Sequence, residues 1–508
     1  MRKFLLKTHK WVSIVFIFFI FMFALSGIIL NHRTAFSGLD ISRALLPKHY
    51  EYENWDNGSV TGTLTLKDGS VWMYGGIGVW GTDPLGSSFK THNEGLPQGA
   101  DHLGIRSLAE TASGGLYALS PFALYKYDAP QDRWQVLEDL PKPEKYYTDL
   151  IAHGDSLILL SRSHLYLSEG EGKGFKEIEL SAPEGYSPKV SLFRMLWLLH
   201  SGELFGFPGQ LVVDGVGIIL IILCVTGLII TIRMMITKRR KKKGLKTDGT
   251  VTRKSLKLHN KLGSLFLALL ILVTFTGMFL RPPLMIAIIR SKISPMPGTE
   301  LSSDNPWHDK LRKIRFDHIH QDWLLSTSDG FFSLSDLNAR PIALPQAPPV
   351  SVMGINAWEQ KESGRWIAGS FSGLFEWNRE DGSSFDLIKK EPYKQRKGGM
   401  PTFDNAISGY SSDFVQGEVL FDYNRGARLV TDGSAFVKMP DGMKPGRISL
   451  WHTALELHVG RLYDGLLGPV APMFVFLAGF LLLSIIISGY IIYHKWHKRR
   501  KKQISKKA

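Results

Sequence analysis

The chain has 508 residues, 61 Lys+Arg against 46 Asp+Glu for a net charge of +15, 44% hydrophobic residues and a single cysteine. That apolar fraction excludes a wholly disordered chain, and the length points to more than one structural unit. One cysteine excludes a disulfide framework, a Cys-ligated zinc site and a Cys-ligated iron–sulfur cluster within the chain.

In chain order, residues 1–32 hold a basic N-terminus and a first apolar run, Trp11–Leu30. A membrane-crossing helix needs about 20 such residues. The run is too long for a signal-peptide core and Ala24-Leu25-Ser26 is a poor cleavage site, so it reads as an uncleaved anchor. Residues 33–198 have the aromatic and β-branched composition of strands, punctuated by Gly, Asp, Ser and Pro. A unit recurs there from Val71, Leu116 and Leu157, close to the spacing of about 40–45 residues between propeller blades. Gly75-Gly76-Ile77-Gly78 lacks the strand–glycine–helix context of a dinucleotide loop and reads as a turn.

Residues 199–232 lead into a second span, Leu211–Ile232. A basic segment follows at 233–261, then a third span, Leu262–Leu280, within 262–290, closed by Arg281-Pro282-Pro283. Residues 291–450 form a second β region with about three units, around Trp323, Trp366 and Val419. Residues 451–493 carry the fourth span, Val470–Tyr493, and 494–508 a basic tail. The expected architecture is a four-helix membrane bundle of two tandem two-helix repeats. With it goes a periplasmic all-β, propeller-like domain of about six blades, built from both long loops. Two separate irregular β modules are the alternative.

Segments 1–10, 233–261 and 495–508 hold 4, 12 and 8 Lys/Arg, with Asp248 as their one acid. The positive-inside rule makes them cytoplasmic and puts both long loops in the periplasm, as in a multi-pass inner-membrane protein with both termini inside. Charge confined to juxtamembrane tails also argues against a nucleic-acid partner; the membrane lipid is the partner it fits.

The chain is internally duplicated. His9-Lys10-Trp11 with Ser26-Gly27 matches His259-Asn260-Lys261 with Thr276-Gly277, at the same His-to-Gly interval of 18 residues. Leu199-His200-Ser201-Gly202-Glu203-Leu204-Phe205 matches Leu457-His458-Val459-Gly460-Arg461-Leu462-Tyr463, and the spans that follow contain Thr226-Gly227 and Ser488-Gly489. Two-span copies share one orientation and are related by an axis along the membrane normal. His9 and His259 then share one level, and His200 and His458 another.

Ionisable residues at membrane helices are candidates for function. Two imidazoles facing across a bundle can supply both axial ligands of a haem iron, so the four histidines read as ligands of two haems. His32, His494 and His497 compete as replacement ligands or haem-edge groups, Arg461 as a propionate partner, and His452 more weakly. Cys224 reads as a small core residue. Asp101-His102 and Asp317-His318-Ile319-His320 are the loop clusters with metal-ligand character.

At these residues the chain resembles the PepSY-associated transmembrane-helix family. The features are His9-Lys10-Trp11, Ser26-Gly27, Asn31-His32, the repeated His259 and Thr276-Gly277, the two L-H-x-G-x-L-aromatic blocks, and Phe207-Pro208-Gly209-Gln210. The resemblance implies an inner-membrane b-haem protein with His9, His259, His200 and His458 as haem-ligand candidates. It also implies an oxidoreductase of the ferric-siderophore reductase type, which passes electrons outward and releases iron as Fe(II). Neither loop reads as the small α/β PepSY module, which separates this chain from such members. No cytoplasmic segment is long enough to bind NAD or flavin, so the expected donor is another protein or a membrane quinol. The acceptor would be a periplasmic ferric chelate, and no catalytic side chain is assigned. The rival reading is a periplasmic ligand-binding or sensor propeller on helices without haem; a transporter fits less well, since Asp214 is the lone acid in the spans.

Overall fold

The computed structural model describes residues 2–351, 353–394, 405–444 and 446–505, with side chains from 4 to 494 of these. Two units emerge, each assembled from separated stretches of chain. One comprises Met1–Phe36, Pro188–Ser302 and Leu450–Ala508; the other comprises Ser37–Ser187 and Ser303–Ser449.

The first unit is helical. Its longer helices are α1 (Arg2–Asn31), α2 (Leu192–Ser201), α3 (Gly206–Lys242), α4 (Thr250–Leu265), α5 (Leu267–Met278), α6 (Leu450–His458) and α7 (Phe474–Ser505). Segments Phe4–Asn31, Glu203–Lys242 and Arg461–His494 are long and apolar enough to cross a membrane. Their outward residues are apolar too: on α3, Leu211, Val212, Ile218, Val225, Leu228 and Ile232 are all exposed. The seven-residue interval from 211 to 218, 225 and 232 keeps those four on one helix stripe, where lipid satisfies them.

The third expected span, Leu262–Leu280, is not one straight helix. α4 and α5 meet at Phe266 with a bend of 66°. The adjacent Gly263-Ser264 pair accounts for it: glycine loosens the turn, and the Ser264 hydroxyl bonds back to the Lys261 carbonyl at 3.2 Å. α5 alone, with 12 residues, reaches about 18 Å, short of a bilayer core of about 30 Å. The structure therefore has three straight candidate spans, and a fourth where the bent pair counts as one.

The repeated L-H-x-G block has a local cause. α2 ends at Ser201 and α6 at His458, and Gly202 and Gly460 follow with φ of 84° and 85°. That left-handed conformation favours glycine. At Gly202 a Cβ would also stand 2.2 Å from the Gly209 carbonyl oxygen.

The second unit is all β: six antiparallel meanders follow one another along the chain, three from each long loop. They begin at Gly62–Thr65, Ser107–Glu110, Tyr147–His153, Leu311–Asp317, Ala357–Gln360 and Ile407–Ser411. The first strand of each sheet adjoins that of the next, and the sixth adjoins the first. A short pair, Asp40–Ser42 with Arg447–Ser449, ties the two ends of the unit together. Gly75 pairs with Gly78, so the GGIG stretch is a hairpin turn.

Strand periodicity explains the packing. Neighbouring residues point to opposite faces, and both faces are apolar. Leu157 and Leu159 pack between the second and third sheets with Tyr117 and Leu119, while Ile158 and Leu160 pack between the third and fourth with Ile314 and Leu325. Six such clusters lie between successive sheets, one of them joining the sixth sheet to the first through Val71, Met73, Val419 and Phe421.

Candidate cofactor site

The four repeated histidines sit at corresponding places in the helical unit: His9 in α1, His259 in α4, His200 in the last turn of α2 and His458 at the end of α6. Each rests on the glycine of a Ser/Thr-Gly pair from the other copy. A Cβ on Gly277 would lie 2.7 Å from His200 Cε1, and one on Gly489 3.0 Å from His9 Cε1. The corresponding distances are 3.4 Å from Gly27 to His458 and 3.5 Å from Gly227 to His259.

The hydroxyl beside each glycine orients the ring. Ser26 Oγ lies 3.0 Å from His458 Nδ1 and Thr226 Oγ1 2.9 Å from His259 Nδ1. Ser488 Oγ lies 3.0 Å from His9 Nδ1, and Thr276 Oγ1 3.4 Å from His200 Nδ1. Each hydroxyl donates to a carbonyl of its own helix: Ser26 to Met22, Thr226 to Ile222, Thr276 to Leu272 and Ser488 to Ile485. With its proton committed there, the oxygen accepts from the imidazole. Backbone carbonyls, which can only accept, reinforce all four: Ile485 O at 3.1 Å from His9 Nδ1, Val273 O at 2.9 Å from His200 Nδ1, and the Leu223 and Phe23 carbonyls beside His259 and His458. These partners make Nδ1 the protonated nitrogen and leave the Nε2 lone pair available to a metal.

The structure brings the histidines together in pairs. The His200 and His458 rings have centroids 6.0 Å apart, inclined at 54°. Imidazoles bound on opposite sides of one metal through bonds of about 2 Å have ring centres about 6 Å apart. His9 and His259 are close enough to act on each other electrostatically. Along α1 the level of His9 and that of Gly27, the seat of His458, differ by 18 residues, about 27 Å at 1.5 Å per residue. Phe23 meets His458 edge-on at 5.7 Å and adds apolar wall. Donor set and tautomer at both pairs, and the measured spacing of His200 and His458, fit the ligation of a haem.

The competing residues are engaged elsewhere. His32 Nε2 is 2.7 Å from Asp214 Oδ2, and Asn31 holds the other oxygen of that carboxylate at 2.8 Å. His494 stacks on Tyr490 at 5.8 Å, and Arg461 pairs with Glu456. His452 meets Trp451 edge-on at 5.1 Å, Cys224 is buried, and the His497 side chain lies outside the described residues. Asp101 accepts from Ser449, and Asp317 is bound by Arg379, Gln360 and His320. Among the described residues no group of three or more His, Cys, Asp or Glu side chains could hold a metal ion by itself. Sequence reasoning assigned no role to the Ser/Thr hydroxyls or to Arg281, which lies near enough to act on His458. The signal for the hydroxyls was present, since the four Ser/Thr-Gly pairs accompany the four histidines.

Compared with known proteins, the chain matches the PepSY-associated TM region twice, over residues 1–234 and again over 216–499. It is a membrane protein and belongs to that family. No curated protein matches it significantly. Among solved structures it is similar to extracellular domains of two B. thetaiotaomicron proteins. For the one component system BT4673 the identity is 12% and the TM-score 0.35, over 75% of this chain and 40% of that one. For the hybrid two component system BT3049 they are 8% and 0.33, over 73% and 39%. The chain thus spans about two fifths of the length of those structures.

Proposed function

We propose that this protein is a di-haem b-type cytochrome of the inner membrane that passes electrons from a cytoplasmic or quinol donor to a periplasmic acceptor, a ferric chelate of the siderophore kind. The observation that carries the reading is the fourfold device of an imidazole seated on glycine with its Nδ1 held by a hydroxyl, which leaves Nε2 as the nitrogen for a metal. His9 and His259 would hold one haem, and His200 and His458 the other. Arg281, beside His458, is the cation available to a propionate, since Arg461 is held by Glu456. Haem bound in this way supplies reversible one-electron exchange at its iron. The chain's own part is to hold the rings in one tautomer, keep both faces of each site occupied, and exclude water with the apolar helices around them.

In this reading the bent α4–α5 pair counts as the fourth span, both termini are cytoplasmic, and the six β sheets close into a six-bladed propeller in the periplasm. The contact between sixth and first sheets supports the closed ring, and the basic segments support the orientation. The test is spectroscopic. Protein purified in detergent from haem-replete cells should be red, with two haems per chain by pyridine haemochrome and a sharp band on dithionite reduction. A colourless preparation would leave the sensor reading in its place.

A further inference from the structure

The basic segment between the second and third spans ends in α4, and the exposed side of that helix mixes two kinds of residue. Val251, Lys254, Leu258, Lys261 and Leu265 are all exposed and follow one another at intervals of three, four, three and four residues, so they form one stripe along the helix. The apolar members, Val251, Leu258 and Leu265, keep 43%, 44% and 67% of their exposure. Arg253 and Lys257, also exposed, flank the stripe on one side. Thr252, Ser255, His259 and Gly263 are half-buried and recur at intervals of three, four and four on another face, from which His259 reaches Gly227.

The lysines of the stripe have no acid to pair with. Asp248 is the one acid of segments 1–10, 233–261 and 495–508, and the cations acting on it are Arg233 and Arg253. Among the described residues, Lys254, Lys257 and Lys261 make no side-chain hydrogen bond or ion pair. Nor does the histidine seat need them. At the places corresponding to Lys254 and Lys261, α1 has Phe4 and Trp11, and His9 still rests on Gly489. The two copies differ in course as well: α1 runs unbroken from Arg2 to Asn31, whereas α4 meets α5 at 66°. The lysines therefore belong to the copy that bends.

Leucine and lysine alternating on one exposed stripe suit neither bulk water nor the hydrocarbon core, since water leaves the leucines unsatisfied and hydrocarbon leaves the ammonium groups so. They suit the boundary between acyl chains and headgroups, where a lysine lays its stem along apolar surface and keeps its charge among the phosphates. The cytoplasmic surface of the bilayer is negative, and a basic stripe complements it. We propose that this stripe of α4 binds anionic phospholipid of the cytoplasmic leaflet. Lys254, Lys257 and Lys261 meet the headgroup phosphates, and Val251, Leu258 and Leu265 meet the acyl chains. A lipid held there bears on the inner histidine pair, because the same helix presents His259 from its other face. The proposal rests on the cytoplasmic placement of the basic segments given above and does not need the haem.

Full-length protein in detergent at low salt tests it, with bound lipid counted by native mass spectrometry. The probes are phosphatidylglycerol, phosphatidylcholine of the same chain length, and glycerol 3-phosphate. Phosphatidylglycerol should bind about tenfold more tightly than phosphatidylcholine and raise the melting temperature. Lys254→Gln, Lys257→Gln and Lys261→Gln combined should weaken that binding about tenfold or more, and Leu258→Gln alone about threefold. Arg239→Gln, Arg240→Gln and Lys241→Gln combined, at the end of α3, remove the same charge and should weaken it by less than about threefold. Equal binding of the two lipids, wild-type affinity in the α4 triple variant or in Leu258→Gln, or an equal loss in the α3 variant would each overturn the stripe. So would displacement of the lipid by millimolar glycerol 3-phosphate, which would mark a site for a free phosphate. Should the α4 triple variant fail to fold, Lys254→Gln with Lys257→Gln carries the test. Colour is read on the same samples: a colourless protein that still selects phosphatidylglycerol would remove the haem reading and keep this one.

Discussion

Both units of this chain are built from repeats, but the helical unit repeats polar residues while the β unit repeats apolar ones. In the helices, His9 and His259, then His200 and His458, recur with their Ser/Thr-Gly seats. Each of the four contacts runs from one copy to the other. In the sheets the recurring positions are Val71, Leu116 and Leu157, whose job is to fill the spaces between sheets. The charged residues there, such as Asp149, Lys313 and Glu359, have no repeated counterpart in the sequence units. Recurrence of apolar residues answers to packing alone. Recurrence of imidazoles in membrane helices has no packing reason, and so points to chemistry.

The sharpest way to break that contrast is to remove one member of each kind of repeat. His200→Ala or His458→Ala should lower the haem content from two per chain to one by pyridine haemochrome, and His9→Ala or His259→Ala should remove the other. Leu157→Ala, at a position with no exposure, should cost about 2–5 kcal/mol in the β unit and leave two haems in place. Full haem content in all four histidine variants would end the ligand assignment.

The glycine seats give a graded version. Adding a methyl group at Gly277 meets His200 Cε1 at 2.7 Å, so the ring must move; at Gly227 the same methyl reaches His259 at 3.5 Å, an ordinary contact. Gly277→Ala should therefore lower haem retention most, Gly489→Ala less, and Gly27→Ala and Gly227→Ala least. Haem-to-protein absorbance ratios after purification measure the order. An order unrelated to these clearances would mean that the seats do not position the rings.

On the β side the singular charges should announce themselves through pH. Glu359 is pushed up to about 8 by burial and then by Asp413, against an ordinary 4.5. The folded state therefore holds this proton more tightly than the unfolded state. The resulting stability is complete below about 4.5 and is lost as pH rises toward 8. Glu359→Gln cannot lose it, so its melting temperature relative to the wild type should climb between pH 5 and pH 8, by an amount on the order of a few kcal/mol in stability. Parallel melting curves across that range would show that Glu359 titrates normally.

That the four histidines and four glycines belong together was legible because both recur at fixed intervals that survive duplication. The apolar runs showed α1, α3 and α7, and the alternating aromatic units marked β regions with three sheets each. The bend at Phe266 was not legible: the apolar run continues through it, and hydropathy does not register the local loosening at Gly263-Ser264. Nor was the exchange of partners. His9 and Gly27 share a helix and look like one motif, yet His9 rests on Gly489 and Gly27 receives His458. Sequence spacing reports what lies along one helix, whereas the seat is supplied across helices.

The smallest effect tests the finest part of the comparison, the hydroxyls. Thr226 accepts the His259 Nδ1 proton at 2.9 Å with the Leu223 carbonyl as a second partner, while Thr276 stands farther off, 3.4 Å from His200, whose proton goes to the Val273 carbonyl at 2.9 Å. A hydrogen bond to Nδ1 raises the basicity of the ligating nitrogen and so favours ferric iron. Thr226→Val keeps the side-chain shape and removes the hydroxyl acceptor, a change of about 1 kcal/mol, or roughly 40 mV upward for a one-electron couple. Thr276→Val removes only the farther contact and should move the potential by much less. Spectroscopic redox titration of the two variants separates the cases. Equal shifts, or a larger one in Thr276→Val, would mean that the hydroxyls mend their own helices and that the backbone alone aims the imidazoles.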